Sequence, residues 1–135
     1  MRTGIAIALA LAVLLTTTAH SADDPTIPAE EKALVQKAME DHIAANRVGE
    51  DYIIYDAVSG DLLRLRFSQL HAGVVRKGGF YVSCADFTSQ GTPIDVDFLV
   101  AGGEDGLRVL DAIVHKVGDT KRPYHVEEMA SEPKG

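Results

Sequence analysis

One cysteine and no tryptophan in 135 residues set limits before any motif is read. A lone thiol cannot close an intrachain disulfide, and it cannot by itself build a zinc finger or an iron–sulfur centre. Basic residues are also scarce: 13 Lys and Arg stand against 20 Asp and Glu, a formal net charge of −7. Such a chain has no electrostatic reason to bind nucleic acid, whose phosphates attract positive charge. The longest apolar run, residues 5–15, falls well short of the roughly 20 residues that a bilayer-crossing helix needs. Gly-x-Ser-x-Gly, His-Glu-x-x-His and glycine-rich phosphate loops do not occur; Gly78-Gly79 and Gly102-Gly103 read as turn glycines. There is no internal repeat and no low-complexity block.

What is present starts with Arg2, the apolar run of residues 5–15 and a small-residue exit, Thr16 to Ala22. This is a secretory signal layout. Cleavage after Ser21 places Ala19 and Ser21 at the two small-residue positions. The chain is therefore expected to be exported, to the periplasm or the extracellular space, with no stable membrane anchor once the signal is removed. No cysteine follows the apolar run, which argues against a lipid-anchored form. Residues 22–128 are expected to form a single domain and residues 129–135 a flexible tail. A domain of this size can bury a core without metal or disulfide staples.

Pro28 suits a helix start, and Glu30 and Glu31 suit its first turn, where negative charge complements the helix dipole. Leu34, Val35, Ala38, Met39, His42 and Ile43 recur at three- and four-residue spacing, predicting an amphipathic helix of about 19 residues. Residues 46–49 stop it. The period then changes to two. Residues 52–57 and 62–67 flank Ser59-Gly60-Asp61 as a hairpin. Leu63, Leu65 and Phe67 share one face, Arg64 and Arg66 the other. Residues 68–75 read either as a loop or as a bulged continuation. Residues 80–87, 94–100 and 107–117 read as strands, and residues 122–126 as a short final one. The expected class is α+β: one N-terminal amphipathic helix packed on a curved antiparallel sheet of about five strands.

A helix followed by a meander over residues 28–126 resembles the small secreted bacterial α+β domains of the cystatin-like and NTF2-like group, at the level of topology. Tyr55-Asp56-Ala57-Val58-Ser59-Gly60 is similar to the strand–turn text of PepSY domains. The cystatin Gln-x-Val-x-Gly motif is absent, the nearest text being Gly73-Val74-Val75, so protease inhibition does not carry over.

Candidate chemistry gathers on the strands around Cys84. If a two-residue turn pairs Ser89 with Thr92, then Asp86 faces Asp95 and Cys84 faces Asp97, while Phe87 meets Ile94 and Ala85 meets Val96. Apolar and acidic positions separate onto opposite faces. Asp111 and His115 on the next strand can join the acidic side. Thiolate, carboxylate and imidazole are all metal ligands, which makes Cys84, Asp86, Asp97 and His115 a candidate site for a divalent metal. Opposed carboxylates with His115 nearby could also exchange protons. The simpler reading keeps the acidic residues as a solvated face and Cys84 as a small buried hydrophobe. An intermolecular disulfide or a reactive thiol is the alternative for that residue.

Two functional classes follow. The first is a non-catalytic module that binds an extracytoplasmic protein or a small ligand through the sheet face bearing Arg64, Arg66, Asp95 and Asp97, or through the edge near residues 68–79. It needs no cofactor, and an uncovered edge strand would let it dimerise. The second is a small metal-handling protein or enzyme that uses the Cys/Asp/His cluster.

Overall fold

The computed structural model describes residues 22–103 and 106–123. The expected signal (residues 1–21) and tail (residues 129–135) lie outside the described residues. Helix α1 spans Ala29–Ala45, with Pro28 at its N-cap and the Pro28 carbonyl accepting the Lys32 N–H at 3.0 Å. Asn46 ends it: both its backbone N–H and its side-chain amide donate to the His42 carbonyl. Val35, Ala38, Met39 and Ile43 are the buried stripe. Leu34 departs from the expected stripe and is 58% exposed. It lies about 100° round the helix from Val35, on the shoulder of the stripe.

Seven strands follow: β1 (Arg47–Val48), β2 (Asp51–Asp56), β3 (Asp61–Lys77), β4 (Phe80–Ser89), β5 (Thr92–Gly103), β6 (Gly106–Val117) and β7 (Thr120–Lys121). They pair antiparallel in sequence order as one meander. The class is α+β, as expected, but the sheet has seven strands among the described residues and not about five. The strands beyond five are two-residue edge strands folded back at Gly49 and Gly118, both at positive φ; of the two, β1 has no counterpart among the expected strands. Strands that short carry no period-two pattern. The short last strand falls at Thr120–Lys121; Arg122 and Pro123 lie beyond it, and residues 124–126 are outside the described residues.

Residues 68–75 are strand, bulged twice. The ladder runs Phe67↔Phe87 to Gln69↔Asp86, leaving Ser68 over, and then Leu70↔Ala85 to Val74↔Ser83, leaving residues 71–73 against Cys84. The displaced backbone is held from both sides. Gln36 of the helix donates to the His71 carbonyl at 3.0 Å, and the Ser83 hydroxyl donates to the Gly73 carbonyl at 2.6 Å. The lead-in to the helix pins the same segment: the Asp24 N–H donates to the Val74 carbonyl, and the Val74 N–H donates to the Asp23 carboxylate. Bulges bend a strand and increase its twist. The sheet bends far enough that β2 comes against β6.

The core lies between α1 and the sheet. The helix stripe meets Tyr52, Leu65, Val74, Phe87, Val96, Phe98 and Val114. Tyr52 stacks on Phe87 with ring centres 5.4 Å apart, and its hydroxyl lies 2.9 Å from His42 Nε2. Burial pushes the Tyr52 phenol well above its ordinary value. Each such ring removed from water contributes on the order of 2 kcal/mol. No described helix is long and apolar enough to cross a membrane.

Candidate functional site

The site begins with a turn. Gln90 and Gly91 connect β4 to β5, both at positive φ (49° and 80°). Two consecutive left-handed residues make the turn whose twist matches a hairpin. It fixes Ser89↔Thr92 and hence Asp86↔Asp95, Cys84↔Asp97 and Phe87↔Ile94, the register expected from the sequence. Ala85, Phe87, Ile94 and Val96 face the helix. By alternation, Cys84, Asp86, Asp95 and Asp97 point to the other side of the sheet.

Two bulges then bring histidines to that side. In β6 the ladder passes from Asp95↔Lys116 to Val96↔Val114, so the register skips His115, and His115 and Lys116 both fall beside Asp95. The Arg122 N–H donates to the His115 carbonyl at 2.7 Å and holds the irregular backbone. His115 Nδ1 lies 3.6 Å from Asp95 Oδ2 and 3.6 Å from Asp97 Oδ1. In β3 the bulge delivers His71, whose Nε2 lies 2.7 Å from Asp86 Oδ1, while Gln69 donates to Asp86 Oδ2 at 3.0 Å.

Burial grades across the cluster. Asp97 is fully buried, Cys84 is 4% exposed and His115 6%. The Cys84 thiol lies 2.8 Å from Asp97 Oδ1, close for a sulfur donor. Asp95 and His71 are half-buried. One donor atom each from His71, Cys84 and Asp95 lie within 4.8 Å of one another, and the same holds for Asp95, Asp97 and His115. Asp95 belongs to both groups. Beside them opens a cleft of about 600 Å³, lined among others by Gln69, His71, Asp86, Pro93, Asp95 and Lys116. The like charges of Asp86 and Asp95, opposed across the ladder, are offset by Gln69 and His71 on one carboxylate and by Lys116 opposite the other.

Of the expected metal set, Cys84, Asp97 and His115 come together. Asp86 sits one layer out, bound to His71. His71 and Asp95 complete the group in its place. Asp111 does not join: it is exposed, stands opposite Leu99, and its carboxylate accepts the Ala112 N–H. The expected contact face also divides. Arg64 and Arg66 are exposed but paired with Asp51, at 3.4 and 2.6 Å, and Arg66 also reaches Glu50 at 2.9 Å. The bond from Arg66 holds Asp51 below the usual carboxylate range. Asp95 lines the cleft, whereas Asp97 is too deep to touch a partner protein. His71 was hidden by the ambiguity of residues 68–75.

Comparison of the chain with protein-family models, curated proteins and solved structures finds no match. The resemblance to cystatin-like, NTF2-like or PepSY domains therefore adds nothing to the functional argument, which rests on the residues and their geometry.

Proposed function

We infer that the chain is an exported, non-catalytic binding module, and that its ligand is a small polar molecule or ion seated in the cleft beside the β3 bulge. The observation that carries this reading is the convergence of Gln69, His71, Asp86, Asp95 and Lys116 on one cavity of about 600 Å³, a size suited to small ligands. The space between helix and sheet, by contrast, is filled with side chains. Concavity favours a small ligand over a flat protein surface. The basic and apolar start of the chain supports export.

Native mass spectrometry tests the reading on protein exported by a Gram-negative host and purified without chelator or reductant. The expected result is a processed chain carrying one non-covalent adduct that Asp95→Asn largely removes, with the fold checked by circular dichroism. A bare mass, together with no change in the Gln69, His71 and Asp86 amide resonances on adding a fragment library, rejects the cleft as a ligand seat. An unprocessed chain retained in the cytosol rejects export.

A further inference from the structure

We propose that the cleft seats a borderline-soft divalent metal ion, of the zinc class, on His71, Cys84 and Asp95, with Asp97 and His115 directly behind. This deepens the reading of the cleft as a ligand seat and rests on it.

The donor set narrows the ion. A thiol, an imidazole and a carboxylate from three different strands are a mixed sulfur, nitrogen and oxygen set. Magnesium and calcium prefer all-oxygen surroundings, whereas zinc and its neighbours accept this mixture. The spacing is compatible. Ligands at about 2.0–2.3 Å from a tetrahedral ion lie about 3.3–3.8 Å from each other. The donors of the His71–Cys84–Asp95 group lie within 4.8 Å of one another, so shifts of about an ångström close the shell.

A second observation, independent of the clustering, comes from His71. Asp86 accepts from its Nε2–H at 2.7 Å, which in the neutral ring leaves the lone pair on Nδ1. That nitrogen is buried and has no hydrogen-bond partner among the described residues. A buried lone pair without a partner is costly. A ligating histidine whose other ring nitrogen donates to a carboxylate is the usual way metal sites orient their imidazoles, and Asp86 occupies that position. Gln69 in turn holds the second Asp86 oxygen. His71 and Asp95 both line the cleft, so an ion reaches them without the sheet opening.

The proton balance is simple. The Cys84 S–H bond breaks, the sulfur lone pair bonds the ion, and one proton leaves to the buffer. Affinity should therefore rise about tenfold per pH unit wherever the thiol is protonated in the metal-free protein.

The test uses the mature protein, stripped by chelator and kept reduced, titrated with ZnCl₂ by calorimetry and with CoCl₂ by absorbance. The expected result is one ion per chain, with a near-ultraviolet thiolate-to-cobalt band. Cys84→Ser should abolish that band, and His71→Ala and Asp95→Asn should each weaken zinc at least tenfold. Asp86→Asn should weaken it by about tenfold or more without removing the band, a pattern that loss of structure would not give. MgCl₂ should give no heat. Circular dichroism checks each variant, and the half-exposed Asp95→Asn decides the matter if Cys84→Ser fails to fold. Zinc binding that survives both His71→Ala and Asp95→Asn overturns the assignment. No zinc or cobalt binding, with an organic adduct still lost in Asp95→Asn, overturns the metal but leaves the cleft as a ligand seat. Neither metal nor adduct overturns both.

Discussion

Asp56 shows how much one side chain can hold in this molecule. It ends β2, is 2% exposed, and accepts the Val58 N–H at 3.1 Å and the Ser59 hydroxyl at 2.9 Å. Arg122, 66 residues further on, donates to the same carboxylate. Burial alone would raise the Asp56 pKa, but the Ser59 and Val58 bonds and the Arg122 charge outweigh it and leave the group below the usual carboxylate range. A depressed folded value stabilises above the unfolded pKa of about 3.9, and that contribution is lost as pH falls through the folded value. Removing one partner of a buried pair leaves the other charge uncompensated. Asp56→Ala should therefore cost about 3 kcal/mol or more by urea unfolding at neutral pH. Asp56→Asn keeps one acceptor, for the Val58 N–H, and should cost less, with a flatter acid limb than wild type. Equal losses in the two variants would show that the retained acceptor contributes nothing and that the whole effect lies in the charge paired with Arg122.

At the scale of elements, turns and bulges decide where chemistry falls. The β4–β5 hairpin was legible because a two-residue turn fixes every facing pair: one assignment, Ser89 with Thr92, settles Cys84 opposite Asp97. That turn carries a cost, since Gln90 sits at φ 49° with a side chain that disfavours it. Gln90→Asn should stabilise by about 0.5–1 kcal/mol and raise Tm by a few degrees in calorimetry. An unchanged or lower Tm would mean the left-handed backbone there is not strained. The bulges were only half legible. Between Leu65 and Leu70 the apolar phase moves from odd to even positions, the mark of one extra residue, here Ser68. Between Leu70 and Val74 the excess over β4 is two residues, which restores the alternation and leaves no trace in the pattern. That silent excess is what presents His71. In β6, Ile113 and Val114 are both apolar, so the phase change at His115 was masked in the same way.

The helix carries its own pH dependence. His42 lies 2.9 Å from the Tyr52 hydroxyl and meets the Tyr52 and Phe98 rings edge-on, 5.7 and 5.9 Å between centres. Burial lowers its pKa below the ordinary 6.5. Above about pH 6.5 the ring is neutral in both folded and unfolded chains, and this packing contributes fully. Below it the unfolded chain takes up the proton first, so stability falls until the lowered folded value is passed. The urea midpoint should drop between about pH 7.5 and about pH 5.5, and the drop should be smaller in His42→Gln. The same drop in both would place the titration elsewhere.

Across the described residues, the helix and the bent sheet share a single core, and its centre is aromatic. Phe98 is fully buried on β5, with Tyr52 of β2, Phe87 of β4 and His42 of the helix all within 6.4 Å of its ring centre. Three elements therefore lean on one side chain of a fourth. A Phe→Ala truncation in a packed core costs about 3–5 kcal/mol, against a total of roughly 5–15 kcal/mol for a domain. Phe98→Ala should thus lose about a fifth or more of the stability, read as a fall in the urea midpoint with an unchanged slope. Leu34 offers the opposite case. It is apolar and was expected in the helix stripe, yet its exposure predicts that Leu34→Ala changes stability by no more than about 0.5 kcal/mol. The pair tests which way the helix faces. Comparable losses in the two variants would mean that α1 is rotated about its axis from the packing described, and with it the Gln36 bond that holds the His71 backbone. The large and small losses, found together, would fix the helix face and so the anchor of the bulge that presents His71.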